Sequence, residues 1–315
     1  MATVPGNPPR IGWIGAGRMG AALVRRLLDA GYQVAVYNRT RSKADELAVH
    51  GAEVVDRPVD LADRDIVFTM VSASDDLEQV TVGEGGLLTA PDVAPAILID
   101  SSTVSAEASA EVRAEATKRG TELLAAPVSG NPAVVASGKL TLAVSGPRAA
   151  FDQVEGLLGA LGRGVTYVGE DEVARLVKIC HNVFLGVVIQ SLAEITVLAE
   201  KGGVKRADFL EFLNHSVMGS VFSQYKTPAL VNLDFTPTFT MPLLRKDFDL
   251  GLAAARELEA PMPLASAAAQ LVASAIGAGF TEQDFAVLIE EQARRSGLTL
   301  ISENAEVTDG LADAE

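Results

Sequence analysis

Residues 10–39 carry an apolar run, a glycine turn, a helical pattern and a second apolar run in immediate succession. This order restricts the fold more than any other feature of the chain. Ile11-Gly12-Trp13-Ile14 leads into Gly15-Ala16-Gly17-Arg18-Met19-Gly20. Leu23, Leu27 and Leu28 then share one helix face, and Val34-Ala35-Val36-Tyr37 ends at Asn38-Arg39. A G-x-G-x-x-G turn between a strand and a helix is the dinucleotide-binding fingerprint in its required context. Gly15 permits the tight turn, Gly17 lets the backbone approach a pyrophosphate, and Gly20 lets the helix pack close to the sheet. The helix N-terminus adds N–H groups and a positive dipole end.

The end of the second strand bears on which dinucleotide is bound. A site for NADH usually places Asp or Glu here to hold the ribose 2′-OH. This chain has Asn38 and Arg39 instead. Arg39 can grip a 2′-phosphate with paired N–H bonds, and Thr40, Ser42 and Lys43 can add donors. The expected cofactor is NADPH, with NADH possible; in an NADH site Arg39 would stack on adenine or stay solvated.

Further buried-strand patterns follow at 66–71, 96–100, 122–125, 140–144 and 165–168, alternating with helical stretches. Such alternation predicts a mostly parallel, doubly wound sheet. From Asp171 onward no strand pattern stands out. Helices are expected over 171–202, 207–213, 221–231, 243–258, 262–279 and 283–296, with a loop at 234–238. The fold class is thus an α/β Rossmann-type N-terminal domain followed by an all-α C-terminal domain. Expected boundaries are 1–169, 170–300 and an acidic, frayed tail at 301–315.

The chain has 315 residues and a net charge of −15, with no basic stripe to hold nucleic acid or an acidic membrane. Its one cysteine, Cys180, excludes an intrachain disulfide, and the N-terminus lacks the features of a signal peptide. A cytoplasmic location is the expectation. The apolar stretch 183–199 contains Gln190 and Glu194 and reads as a core helix rather than a membrane span. His50, His215 and Cys180 are too scattered for a metal-ligand pattern. Cys180 itself is expected to pack against the core.

Catalysis beside a nicotinamide needs a proton donor. The early part of the long helix offers Lys178, His181 and Asn182, with 178 and 182 one turn apart on one face. By periodicity alone the ordinary reading of such a lysine is a solvated one.

Four motifs in order change that reading. They are Gly15-x-Gly17-x-Met19-Gly20, Ala126-Pro127-Val128-Ser129-Gly130, Lys178-Ile179-Cys180-His181-Asn182 and Lys246-Asp247. Together, from about Arg10 to Gly297, they resemble the β-hydroxyacid dehydrogenase family, which includes 3-hydroxyisobutyrate dehydrogenases and tartronate semialdehyde reductases. The resemblance implies an NADP(H)-dependent oxidoreductase that interconverts a small 3-hydroxy acid and its semialdehyde. It makes Lys178 the catalytic acid or base and Asn182 the group that orients the substrate. Ser129 and the Gly130 backbone would hold the substrate's acidic group, with Asn131, Thr103 and Lys246 beside it. The cofactor-binding set is then Gly15, Gly17, Arg18, Met19, Gly20, Asn38, Arg39, Thr40, Lys43, Val71, Ser72, Thr103 and Lys246. Asp247 reads as a structural partner. Burial, and Lys246 as a neighbouring like charge, would lower the Lys178 pKa toward a useful range. The resemblance also implies a homodimer or homotetramer. No metal is expected.

The chain departs from the family pattern at three places. Asn131 stands where a second glycine usually follows Gly130, and His181 where an asparagine is usual. Glu172, Ala174 and Arg175 fill a stretch that is usually glycine-rich. His181 could act as a partner of Lys178, a proton relay, a substrate contact or a packed side chain. Two other readings are an imine reductase, which generally lacks the lysine, and a non-catalytic NADPH-binding scaffold.

Overall fold

Alternate residues of a strand face opposite sides of its sheet, and here both sides are covered. The computed structural model describes residues 8–311. Its strands are β1 (Ile11–Ile14), β2 (Val34–Tyr37), β3 (Glu53–Val54), β4 (Ile66–Thr69), β5 (Ile97–Asp100), β6 (Glu122–Ala125), β7 (Val128–Ser129), β8 (Thr141–Ser145) and β9 (Gly164–Gly169). Ile11, Trp13, Val34, Val36, Phe68 and Ile99 join one buried cluster. Ile14, Ala35, Val67 and Leu98 join another on the opposite face. Runs apolar at every position are what such double burial demands.

The strand order is β3-β2-β1-β4-β5-β6-β8-β7, with β9 beside β8. The first six strands are parallel. β8 runs antiparallel to β6 and β7 and parallel to β9. This is the doubly wound order, and its direction of winding reverses between β1 and β4, where such sheets bind ligands. The intervening helices are α1 (Arg18–Asp29), α2 (Arg41–Ala48), α3 (Ser74–Thr81), α4 (Ala106–Lys118), α5 (Pro132–Ala136) and α6 (Arg148–Gly159). β3 and β7, at two residues each, are too short for a hydrophobic period to reveal.

The remaining elements are helical: α7 (Val173–Lys201), α8 (Arg206–His215), α9 (Val221–Asn232), α10 (Met241–Glu257), α11 (Pro263–Gly277) and α12 (Leu288–Arg295). The helix expected at 283–296 begins instead as a 3₁₀ turn, Phe285–Val287. The chain divides into two compact units between Lys178 and Ile179, within α7. α7 is long and apolar enough to cross a membrane by length and composition alone. Its Ile189, Ala193 and Val197 are buried in the helical core, and Gln190 donates to Glu194 at 2.9 Å.

The expectation of a frayed tail is corrected for residues 302–311. Glu303 accepts the N–H groups of Arg206 and Ala207 at 2.7 and 3.0 Å. A carboxylate thereby satisfies the first turn of α8, where the helix dipole favours it. Asn232 exchanges two hydrogen bonds with the Ala305 backbone, and Leu311 is buried. Acidic composition alone gave no sign of these partners, which lie far away in the sequence.

Candidate active site

The glycine turn has the geometry its sequence implies. Gly15 sits at φ +104°, and a Cβ there would lie 2.2 Å from the Met70 carbonyl oxygen. A Cβ on Gly20 would lie 1.9 Å from the Gly15 oxygen, so α1 approaches the turn as only glycine allows. A Cβ on Gly17 would meet nothing within 4 Å. Gly17 also N-caps α1 with no side-chain bond. The space beside Gly17 at the start of α1 is therefore open, which fits a pyrophosphate approaching a helix N-terminus. Trp13 supports the turn by donating to the Gly15 carbonyl at 2.9 Å and stacking on Phe68.

Asn38 ties the turn to the end of β2. Its Oδ1 accepts the Ala16 N–H at 2.8 Å and its Nδ2 donates to the Thr40 carbonyl at 2.8 Å. Arg39, 82% exposed, pairs with Asp76 in the first turn of α3 at 2.8 Å. Thr40 is the N-cap of α2 and makes no side-chain cap bond; Lys43 is exposed in the next turn. Past β4, Val71 donates its N–H to Ser102 Oγ at 2.9 Å and Ser72 is exposed. Ser102 and the half-buried Thr103 follow β5. The turn after β1 and the ends of β2, β4 and β5 thus bring most of the expected cofactor residues to the C-terminal ends of the parallel strands, the cofactor edge of the sheet.

Ser129 closes β7 opposite Thr141. Gly130 has φ +145°, and a Cβ there would lie 2.8 Å from Val134 Cγ1, so glycine is required. Asn131 N-caps α5, its Oδ1 accepting the Val134 N–H at 3.0 Å, with Pro132 at the first helical position. The amide that replaces the usual second glycine therefore has a local structural role.

On α7, residues 175, 178 and 182 fall on one stripe, within about 60° at 100° per residue. Lys178 is half-buried. Asn182 is buried and donates through Nδ2 to the buried Asp247 of α10 at 2.7 Å. His181 Nδ1 lies 2.9 Å from Asn182 Oδ1 and donates to it when it carries the proton. The sequence named no contact between His181 and Asn182; the hydrogen bond fits the reading of His181 as a packed, hydrogen-bonded side chain. Lys246 precedes Asp247 on α10 and is half-buried. Cys180, expected to pack inward, is exposed. It stands two residues from Asn182, about 200° around the helix and away from the buried stripe. Among the described residues, no cluster of three or more His, Cys, Asp or Glu side chains is placed to hold a metal ion.

Sequence reasoning missed three charged groups at the cofactor edge: Asp76, which holds Arg39, and the Asp100–Arg175 pair. Arg175 Nη2 donates to Asp100 Oδ2 at 2.7 Å from 75 positions away. The available signal was Arg175 itself, a charged residue beside the buried Ala174 in a largely apolar helix.

Comparisons with known proteins agree with this fold. Residues 10–169 match the family described as the NAD binding domain of 6-phosphogluconate dehydrogenase. Residues 173–291 match the NAD-binding family of NADP-dependent 3-hydroxyisobutyrate dehydrogenase. The uncharacterized oxidoreductase YfjR of Bacillus subtilis is 36% identical over 284 residues, 89% of this chain and 99% of that protein. Glyoxylate/succinic semialdehyde reductase 1 of Arabidopsis thaliana is 31% identical, covering 89% and 97%. The crystal structure of 3-hydroxyisobutyrate dehydrogenase from Salmonella typhimurium matches with a TM-score of 0.79 and 27% identity, over 90% and 99% of the two chains. An imine reductase from Pseudomonas sp. is more distant, with a TM-score of 0.60 and 21% identity over 90% and 99%, a likeness of fold alone.

Proposed function

The chain belongs to the β-hydroxyacid dehydrogenase family of NAD(P)-dependent oxidoreductases acting on CH–OH groups, and from that premise we propose that it interconverts a small 3-hydroxy acid and its semialdehyde, preferring NADPH. The observation that carries this reading is the Lys178–Asn182 stripe of α7, with Asn182 held by Asp247 at 2.7 Å. A bound dinucleotide supplies the hydride in reduction and takes it up in oxidation. As an aldehyde is reduced, negative charge builds on its oxygen, and the Lys178 ammonium donates a proton there. In the reverse direction the Lys178 amine takes the hydroxyl proton. Asn182, with one N–H committed to Asp247, keeps a fixed amide plane and uses its second N–H to orient the substrate. The Ser129 hydroxyl and the Gly130 N–H cradle the acidic group, and Lys246 adds positive charge.

The preference for NADPH rests on residues 38–43, which carry three basic side chains and no carboxylate. Arg39 pairs with Asp76, and a 2′-phosphate would compete with that carboxylate for the guanidinium. The retained lysine argues against an imine reductase. A homodimer or homotetramer is part of the same reading. Phe184 and Leu198 of α7 are 68% and 71% exposed on the side opposite Asn182, and light scattering reads the resulting mass.

The test mixes purified protein and NADPH with semialdehydes that carry a carboxylate, sulfonate or phosphonate, and with cyclic imines. Loss of NADPH absorbance with an acid-bearing semialdehyde is the expected result. Turnover confined to imines, or tight NADPH binding with no carbonyl turned over, would overturn the assignment.

A further inference from the structure

A buried ionic network joins the first turn of α7 to the sheet. Arg175 is 3% exposed and Asp100 fully buried. The guanidinium donates to Asp100 Oδ2 and Ser109 Oγ at 2.7 Å each, to the Ser102 carbonyl at 3.2 Å, and to Glu172 at 2.9 Å. The other Asp100 oxygen accepts Thr69 Oγ1 at 2.6 Å and the Ser102 N–H at 3.2 Å. Glu172 is held in turn by Arg113, which also donates to the Asp171 and Leu123 carbonyls. Arg175 therefore ties the end of β5 and the helix α4 to the start of α7, and Asp100 extends the network to the end of β4. Only the planar fork of arginine reaches so many acceptors in fixed directions; a lysine is a single point of charge.

Burying charge is a costly way to gain stability alone, because desolvation offsets much of the attraction. Its return here is geometric. The atoms that Arg175 grips belong to the Ser102–Thr103 step, and Arg175 lies on the same stripe of α7 as Lys178, three residues earlier. We propose that Arg175 is a positioning residue. By fixing the rotation of α7 against the Ser102–Thr103 step, it sets where the Lys178 ammonium stands relative to the dinucleotide-binding edge. The proposal rests on Lys178 being the proton donor. It gives a purpose to Glu172 and Arg175 in a stretch where the family usually has glycine.

The test is a double-mutant cycle on the full chain, pairing Arg175→Lys with Lys178→Ala. Arg175→Lys keeps a positive charge beside Asp100 and removes the fork. In the otherwise native protein it is expected to lower kcat about 10- to 100-fold, the scale of a small misplacement of a catalytic group. The KM and the NADPH Kd stay within about twofold, as for an effect confined to the chemical step. In the Lys178→Ala background the same change costs less than about twofold, because coupled residues are not additive. Equal losses in both backgrounds would overturn the positioning role and leave the lysine assignment standing. So would an unchanged kcat with a lowered melting temperature. Native turnover by Lys178→Ala alone would instead remove the catalytic reading beneath the proposal. If Arg175→Lys does not fold, the neutral pair Arg175→Gln with Asp100→Asn runs through the same cycle with the same expected outcomes.

Discussion

Arg175 in the first unit and Lys226 in the second are both buried against a carboxylate, and they use that burial differently. Arg175 spreads its bonds over the end of β5, the helix α4 and Glu172 before α7, next to the residues expected to bind cofactor and substrate. The Lys226 ammonium meets Asp284 at 2.6 Å and Thr238 Oγ1 at 3.0 Å, and sits 4.3 Å above the Phe285 ring. Asp284 also accepts the backbone N–H groups of Thr238, Phe239 and Ala286 at 3.0, 3.2 and 3.0 Å. This second cluster closes the loop 233–240 onto the turn before α12 and includes no candidate site residue. A fork that reaches many segments sets geometry near the chemistry. A point charge on one well-bonded carboxylate pins a core. Changes at Arg175 are therefore expected in kcat and changes at Lys226 in stability.

Lys226→Met should show the largest stability effect, because it leaves Asp284 charged and buried. A loss of about 3–5 kcal/mol is expected, read from urea unfolding, with kcat of the folded fraction within about twofold. An unchanged stability with a fallen kcat would break the comparison. Acid follows. Burial alone would raise the Asp284 carboxyl, but the Lys226 ammonium and the surrounding hydrogen bonds outweigh it and hold the group below the usual carboxylate range. Hydrogen bonds from Arg294 hold Glu291 below its ordinary value in the same way. In both cases the unfolded state takes up the proton first. The stabilisation is fully present above the ordinary carboxylate range and is lost as pH falls through the lowered values. The urea midpoint should therefore drop between pH 6 and pH 3, by about 1–3 kcal/mol of stability; a midpoint constant over that window would contradict the pairing.

An exposed pair extends the comparison to its weak end. Arg39→Asp should shift the ratio of kcat/KM for NADPH over NADH by about 10- to 100-fold toward NADH, or about 1.4–2.7 kcal/mol. Asp76→Asn frees Arg39 from its carboxylate and should raise the NADPH preference by only a few-fold, since an exposed salt bridge contributes about 0–1 kcal/mol. A fall in that preference would mean that Asp76 helps to hold the nucleotide through Arg39.

The same contrast explains what the sequence made legible. The glycine turn could be read residue by residue, because its G-x-G-x-x-G spacing between an apolar run and a helical pattern lies within about ten consecutive residues, although the carbonyl that crowds Gly15 belongs to the distant Met70. The sheet was readable because strands buried on both faces must be apolar throughout. What escaped depended on distant partners. Asp100 and Arg175 are 75 positions apart, and Glu303 reaches Arg206 across 97. β7 pairs antiparallel with β8 in a register that its two residues do not encode. Cys180 was misplaced because its face depends on which side of α7 the second unit buries. Asn182 was legible as a candidate through its spacing from Lys178, but its anchor on Asp247 of α10 was not.

Proton donation by Lys178 is tested most directly by measuring kcat of Lys178→Ala with saturating NADPH and an acid-bearing semialdehyde, together with the NADPH Kd of the same preparation. The expected result is a fall of about two to four orders of magnitude in kcat, the scale of losing a general acid, with the Kd within about twofold of the unsubstituted protein. Turnover at the unsubstituted rate would contradict it.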